Sequence, residues 1–324
     1  MAQQRKRKKN SNGALLGLIA VLAVLLAAAI IVALSLPDRQ PDPTEPIASD
    51  TAQNTESSET VGETQGATET QPKLEGWQDI DGQRYYYEDG TVHTGWLTLD
   101  GRDYYFHADG AMAKGTVEID GRNYFFSSTG AFFHVVNPWN YVPDDYAPDL
   151  VDLPDKYGEG QRIDSSCYDA LIQMIDDCNA AMNGTTSAYV VSAYRSMERQ
   201  TNNFNNKVDR VMAANPGMTR EEAEKEAATV VAVPGTSEHQ LGLAADIIDT
   251  QLWALEEEQE DLPAQKWLME NCWRYGFLLR YAKGTTDSTG IIYEPWHYRY
   301  LGVELATEIH NSGMTVEQYL ESLS

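Results

Sequence analysis

The sequence predicts a chain in three structural parts: a single transmembrane helix, a solenoid of β-hairpin repeats and an α+β domain. Three observations predict this. Ala14–Leu36 is a 23-residue stretch without charge. From Gly76, an Asp-Gly pair followed by an aromatic triplet recurs with a period of about 20 residues. Beyond residue 135, helical and strand patterns alternate irregularly, without the βαβ rhythm of a parallel sheet. The 324 residues leave room for about two ordinary domains.

Charge comes next. The chain holds 24 Lys+Arg against 49 Asp+Glu, a net charge of −25. Arg5, Lys6, Arg7, Lys8 and Lys9 all precede the apolar stretch, and no acid occurs before Asp38. Binding phosphates needs a basic face, so nucleic acid is excluded as a partner. About 20 apolar residues span a bilayer as a helix. Basic residues ahead of such a run hold that side in the cytoplasm. Residues 13–36 are therefore expected to be a transmembrane helix, behind a basic cytoplasmic tail at 1–12 and with the membrane as a partner. The rival reading is a cleaved signal peptide, with Ala33-Leu34-Ser35 as its small-residue site. The apolar region of such a peptide usually runs to about 7–15 residues, shorter than this one. Both readings place the chain from residue 37 outside the cell. Residues 37–75 are rich in Pro, Ser, Thr, Glu, Gln and Asp and carry no aromatic residue. Such a segment cannot offset its ordering entropy and reads as a disordered linker.

Residues 76–134 hold the repeat. GWQDIDGQRYYYEDGTVHT, GWLTLDGRDYYFHADGAMAK and GTVEIDGRNYFFSSTGAFFH start at Gly76, Gly95 and Gly115. Asp-Gly between apolar runs is a hairpin signal. One hairpin cannot bury its own face, so a fixed period means stacked hairpins. The units resemble the choline-binding and glucan-binding repeats of Gram-positive surface proteins. In choline-binding members, aromatic side chains form cages for a quaternary ammonium by cation–π attraction. The resemblance implies a wall ligand, choline or another cell-wall polymer, with Trp77, Tyr86, Trp96 and Tyr105 as its candidate contacts. The third unit departs from the pattern, with Thr116 in the Trp position. The alternative is that these aromatics only pack the solenoid, which then serves as a spacer. With a wall ligand, the expected location is the cell membrane, single-pass, with residues 37–324 extracellular in the cell wall.

Residues 135–324 read as an ordinary globular domain. A Pro-rich extended lead-in ends near Leu153. Leu171, Ile172, Met174 and Ile175 sit at helical spacing, which predicts a core helix over Cys167–Met182. SAYVVSAYR reads as a short buried strand. Thr219 and Glu222 form a capping box ahead of a helix that ends before Val233-Pro234-Gly235. QKWLMENCWRYGF is an amphipathic helix closed by Gly276.

The chemistry gathers around PGTSEHQLGLAAD, Pro234–Asp246. Read as a strand, Leu241, Leu243, Ala245 and Ile247 share one face. Asp246 then projects from the other face, among Gly242 and Ala244. A buried carboxylate without a partner is costly. Of the six His residues, His93, His107 and His134 lie in or beside the repeats, and His310 ends a helical pattern. That leaves His239 and His297, the latter in EPWHYRYLG with Glu294 three residues before it. Hydrolytic zinc commonly takes three protein ligands and one water. A carboxylate off the metal then accepts the water's proton. His239, Asp246 and His297 are the candidate ligands, and Glu294 the candidate base. The alternative keeps a buried strand with two incidental polar groups and Glu294 as a surface acid beside a core Trp296.

SEHQLGLAAD and EPWHYRY, preceded by SAYRS, resemble the VanY-type zinc D-alanyl-D-alanine carboxypeptidases, including the related L,D-carboxypeptidases, over about residues 137–310. The resemblance implies a central antiparallel sheet shared with hedgehog signalling domains, one Zn2+ per domain, and peptidoglycan stem peptides as substrate. It implies removal of the C-terminal D-alanine. His239, Asp246 and His297 match the zinc ligands and Glu294 the catalytic base. Arg195 matches the residue that stabilises the oxyanion; Gln200 and Ser237 match groups that hold the terminal carboxylate; Tyr281 matches a pocket tyrosine. The sequence departs from shorter members at Val208–Thr229, which adds a helical segment at the expected pocket wall. An L,D-carboxypeptidase trimming tetrapeptide to tripeptide, and a non-catalytic muropeptide-binding protein, are the alternative functions. Cys178 and Cys272 carry two readings, a disulfide or free buried thiols.

Overall fold

The computed structural model describes residues 73–323, all within one compact unit, Thr70–Ser324. The first eight strands make three hairpins. β1 (Gly76–Ile80), β2 (Gln83–Glu88) and β3 (Thr91–Val92) form one sheet. β4 (Gly95–Leu99) pairs with β5 (Arg102–Phe106); β6 (Gly115–Ile119), β7 (Arg122–Phe126) and β8 (Phe132–Phe133) form the third. The Asp-Gly pairs turn each hairpin. Asp81 and Gly82 have φ of 51° and 79°, and Asp100-Gly101 and Asp120-Gly121 repeat that conformation. Two successive left-handed residues match the twist of the flanking strands. The hairpins stack through their tryptophans. Trp77 packs on Tyr86 of its own hairpin and on Tyr104 of the next, both at 5.2 Å. Trp96 does the same with Tyr105 at 5.3 Å and Tyr124 at 5.1 Å.

The larger part follows. β9 (Leu150–Asp152) and β10 (Arg162–Asp164) form a small ribbon ahead of α1 (Ser165–Ala181). β11 (Ala188–Ser192) leads to α2 (Met197–Ala214) and α3 (Arg220–Ala228). A 3-10 turn, Glu238–Leu241, precedes β12 (Ala244–Asp249). Then come α4 (Pro263–Asn271), β13 (Phe277–Tyr281), β14 (Glu294–Tyr300), α5 (Val303–Ser312) and α6 (Val316–Ser322). The central sheet has the order β11-β12-β14-β13, antiparallel throughout.

α1 begins where the Asp164 side chain accepts from the Ser166 N–H, a cap that satisfies one free helix donor. Its Leu171, Met174, Ile175 and Cys178 form one buried stripe against Val190, Ile247 and Tyr298 of the sheet. Each such aliphatic side chain contributes about 1.5–3 kcal/mol when fully buried. α2 and α3 pair around Phe204, Val208, Ala223 and Ala227, and the Thr219–Glu222 capping box opens α3. A third cluster joins the last hairpin to the C-terminal helices. Phe125 and Val135 pack with Leu278, Leu305, Ile309 and Leu320.

The structure corrects two expectations. Among the described residues no helix is long and apolar enough to cross a membrane. The longest, α2, carries Glu198, Arg199, Lys207, Asp209 and Arg210, and charges of that density are expensive in hydrocarbon. The expected single-pass helix at 13–36 lies outside the described residues, and the membrane location and membrane partnership built on it are withdrawn. Second, the strand read from Leu241 begins instead at Ala244. Gly242, at φ 73°, is left-handed and breaks the extended run; the order of a turn holding His239 followed by a strand holding Asp246 is as the sequence suggests. Of the two readings of the cysteines, the structure has the free thiols: Cys167, Cys178 and Cys272 are unpaired and buried, and Cys178 donates toward the Ala264 carbonyl.

Candidate metal centre and active site

Sheet register builds most of the site. Asp246 of β12 stands directly opposite His297 of β14. Directly opposed residues hold their Cβ atoms about 4.5–5.5 Å apart, so two candidate ligands meet through backbone pairing alone. On the other side of β14, Glu294 stands opposite Tyr281 of β13. His239 arrives from the 3-10 turn. The carbonyl of His239 accepts from the Arg195 N–H at 3.1 Å, which ties the turn to the segment following β11.

Ligand atoms from His239, Asp246 and His297 all lie within 4.8 Å of one another, and all three residues are buried. His239 Nε2 is 3.3 Å from Asp246 Oδ1, and His297 Nδ1 is 3.1 Å from the same oxygen. His239 Nδ1 lies 2.7 Å from the Ala193 carbonyl oxygen. A carbonyl only accepts, so Nδ1 carries the hydrogen and Nε2 is bare. That Nε2 is buried with no hydrogen-bond partner. An orphaned buried acceptor costs about 1–3 kcal/mol, a cost that a cation at this point removes. The donor set, two imidazoles and a carboxylate, suits zinc.

The electrostatics fit a cation too. Burial alone raises Asp246, but the charges and hydrogen bonds of His239 and His297 outweigh it and hold the carboxyl far below its usual range. Burial, with Arg195 nearby, lowers His239 to about 4, so it is neutral at neutral pH. Burial works against a charge on His297, yet hydrogen bonds to Asp246 and Glu238 hold it up at about 9. The carboxylates around His297 thus favour a positive charge at the cluster, which a proton on Nδ1 supplies where no cation takes its place. Burial pushes Glu294 up to about 8, against the pull of His297; its Oε2 is 3.8 Å from His297 Nδ1.

The cluster opens onto a cavity of about 220 Å³ whose lining includes Arg195, Ser237, Tyr281 and Glu294 with the three candidate ligands. Val230, Val231, Ala232, Leu255, Ile291 and Trp296 supply an apolar wall. Val230, Val231 and Ala232, which follow α3 after Thr229, therefore border the cavity. Gln200 is placed differently. It is fully buried, and its Nε2 donates to the Ala232 carbonyl at 2.6 Å, so it braces the wall from behind. The repeat aromatics sit in the hairpin stack. Arg84 covers the ring of Trp77 at 4.9 Å, while Trp96 is 42% exposed.

Sequence reasoning missed Glu238. It is 2% exposed, between Ser237 and His239. Its Oε2 meets His297 Nε2 at 3.2 Å, and its Oε1 accepts from Arg280 Nε at 2.8 Å and Arg299 Nη1 at 3.1 Å. Those arginines lie 42 and 61 residues away in the chain. The one local signal was a charged residue placed between Ser237 and His239, both candidates for the site.

Residues 160–303 match the VanY family, described as D-alanyl-D-alanine carboxypeptidase. Residues 93–139 match the choline-binding repeat. The chain is similar to a D-alanyl-D-alanine carboxypeptidase of Enterococcus faecalis (strain ATCC 700802 / V583), 40% identical over 188 residues. That match covers 58% of this chain and 65% of the relative, so the chain spans just under two-thirds of that protein's length. A solved structure of the vancomycin-resistance D,D-pentapeptidase VanY in complex with Zn(II) is similar at 40% identity and a TM-score of 0.50, covering 58% of this chain and 97% of that one. The structure of the LdcB LD-carboxypeptidase is similar at 33% identity and a TM-score of 0.51, covering 65% and 95%.

Proposed function

We propose that this chain, which belongs to the VanY family of D-alanyl-D-alanine carboxypeptidases through residues 160–303, removes the C-terminal D-alanine from peptidoglycan stem peptides. The observation that carries the reading is the convergence of His239, Asp246 and His297 ligand atoms within 4.8 Å, on a cavity that Glu294 and Arg195 also line. The orphaned Nε2 of His239 and the ionised Asp246 fit a zinc ion, and the similar VanY structure is in complex with Zn(II). His239 Nε2, Asp246 Oδ1 and His297 Nδ1 are the atoms that would hold it. When bound, zinc supplies a Lewis acid that lowers the pKa of a water to about 7.

The chain's own residues do the rest. Glu294 accepts a proton from the attacking water at a carboxylate oxygen and returns it to the departing amine. A base held near neutrality suits both transfers. Arg195, whose Nε is buried without a partner, donates to the carbonyl oxygen as it gains negative charge. Ser237 and Tyr281 line the cavity and bind the substrate's terminal carboxylate end; Gln200 fixes the wall. The apolar wall excludes water, which strengthens each of these interactions.

Trimming of tetrapeptide to tripeptide is the second reading. The likeness to the LdcB LD-carboxypeptidase, at 33% identity over 65% of the chain, supports it. The hairpins at 76–134 are proposed to bind choline or another wall polymer. Trp96 is the open platform for it, since Arg84 already covers Trp77. Incubation of the purified chain with pentapeptide and tetrapeptide muropeptides, followed by mass analysis, tests the function. Loss of one D-alanine from the pentapeptide, stopped by a chelator and restored by zinc, is expected. Cleavage that ignores the chelator would sink the metal reading.

A further inference from the structure

Each imidazole of the candidate centre has one nitrogen toward the cluster and one fixed from behind. For His239 the fixed nitrogen is Nδ1, held by the Ala193 carbonyl. For His297 it is Nε2, 3.2 Å from Glu238 Oε2, while Nδ1 faces Asp246. The two histidines therefore present opposite nitrogens, each chosen by its rear acceptor. Glu238 does not line the cavity and meets the centre only through His297.

Glu238 is itself held. Arg280 and Arg299 both donate to its Oε1. Arg280 also pairs with Glu317, and Arg299 donates to the His134 carbonyl at 2.7 Å. Two guanidinium groups thus balance two carboxylates, Glu238 and Glu317. Breaking up such a buried group leaves an uncompensated charge, so its members stay in place. Being internally neutral, the group adds no net charge to the centre; its effect is directional.

We propose that Glu238 is the positioning residue of the metal centre, accepting the Nε2–H of His297 so that the bare Nδ1 points at the cation, with Arg280 and Arg299 locking the carboxylate. This rests on the zinc reading of the cluster, and the test is chosen to be independent of peptide hydrolysis. Carboxylate partners of ligating histidines fix tautomer and ring orientation, and their loss typically costs about 10–100-fold in metal affinity. In Glu238→Gln the amide group turned toward His297 is a donor, because the amide oxygen is needed by the arginines. Two donors then face each other, and His297 relieves the clash by moving its hydrogen to Nδ1, the nitrogen the metal needs.

The experiment uses the unsubstituted chain and E238Q, first metal-free and then titrated with zinc against a competing chelator. Zinc affinity is expected to fall about 10–100-fold in E238Q with its circular dichroism unchanged, and Glu238→Asp is expected to fall between the two. Nitrogen-15 spectra of the zinc-loaded unsubstituted chain should show His297 protonated at Nε2 and ligating through Nδ1. Ligation through Nε2, or equal zinc affinity in a folded E238Q, would overturn the proposal. If E238Q does not fold, the spectrum of the unsubstituted chain decides alone. Failure to bind zinc at all would instead strike at the reading of the cluster.

Discussion

At the scale of single residues, Glu294 and the three candidate ligands can be separated by experiment because they touch different things. Glu294 is 3.8 Å from His297 Nδ1 and lies outside the ligand triad. Glu294→Gln keeps shape and hydrogen-bonding reach but cannot take a proton. General-base catalysis is worth about 10²–10⁴-fold, so kcat is expected to drop by that factor while bound zinc stays at one per chain. Metal analysis beside steady-state kinetics checks both halves, and full activity would remove Glu294 from the mechanism. Much of this centre was legible in the sequence. Six histidines, sorted by their neighbours, left two for chemistry, and the family motifs gave each residue a role. Glu238 was not legible, since an acid beside a histidine looks like a surface charge until Arg280 and Arg299 arrive from distant strands. Gln200 shows the converse: its position matched a motif, but its hydrogen bond runs to the wall at Ala232.

At the scale of elements, short-range chemistry was readable and long-range pairing was not. The Asp-Gly turns, the Thr219–Glu222 capping box and the apolar stripe of α1 are local patterns with local causes. The start of β12 was misread because alternation from Leu241 outweighed one glycine, and Gly242 adopts a left-handed φ that here ends the turn two residues before the strand. Nothing in the sequence set Asp246 opposite His297; the order β11-β12-β14-β13 makes their strands neighbours, and the pairing register of β12 with β14 brings the two residues together. The helix α6 offers a test of how such elements are pinned. Burial alone would raise its Glu317, but Arg280 outweighs this and holds the carboxyl below its usual value, helped by hydrogen bonds from Arg280 and Asn137. A carboxyl with a depressed folded pKa adds stability above its unfolded pKa of about 4.3 and loses it as pH falls through the folded value. Glu317→Gln should therefore melt below the unsubstituted chain at neutral pH, with the gap closing as pH drops from 5 toward 3. A gap that stays constant across that range would show that the ion pair does not pin α6.

At the scale of the whole molecule, the three hairpins are not equivalent. Trp77 and Tyr86 pack within the stack, around Tyr104, Phe106 and Met112. Phe125 of the third hairpin instead enters the cluster formed by Leu278, Leu305, Ile309 and Leu320. The Ser128 hydroxyl donates to Glu308 of α5 at 2.8 Å, and the Ser128 N–H donates to the Tyr319 hydroxyl at 3.0 Å. Arg102 reaches Glu304 as well, but that pair is half exposed and such pairs contribute little. The apolar joint is what ties the last hairpin to the domain. Phe125 is 7% exposed, and truncating a buried Phe to Ala typically costs about 3–5 kcal/mol. Phe125→Ala is therefore expected to lower the melting temperature of the α+β domain, followed through the near-ultraviolet signal of its tryptophans, and to weaken activity at raised temperature. Trp77→Ala, two hairpins away, should leave that transition where it is while loosening the stack. Equal effects from the two substitutions would mean that the stack and the domain unfold as one. No effect from Phe125→Ala would make all three hairpins a spacer hung on the domain, a result that the burial of Phe125 among residues of β13, α5 and α6 argues against.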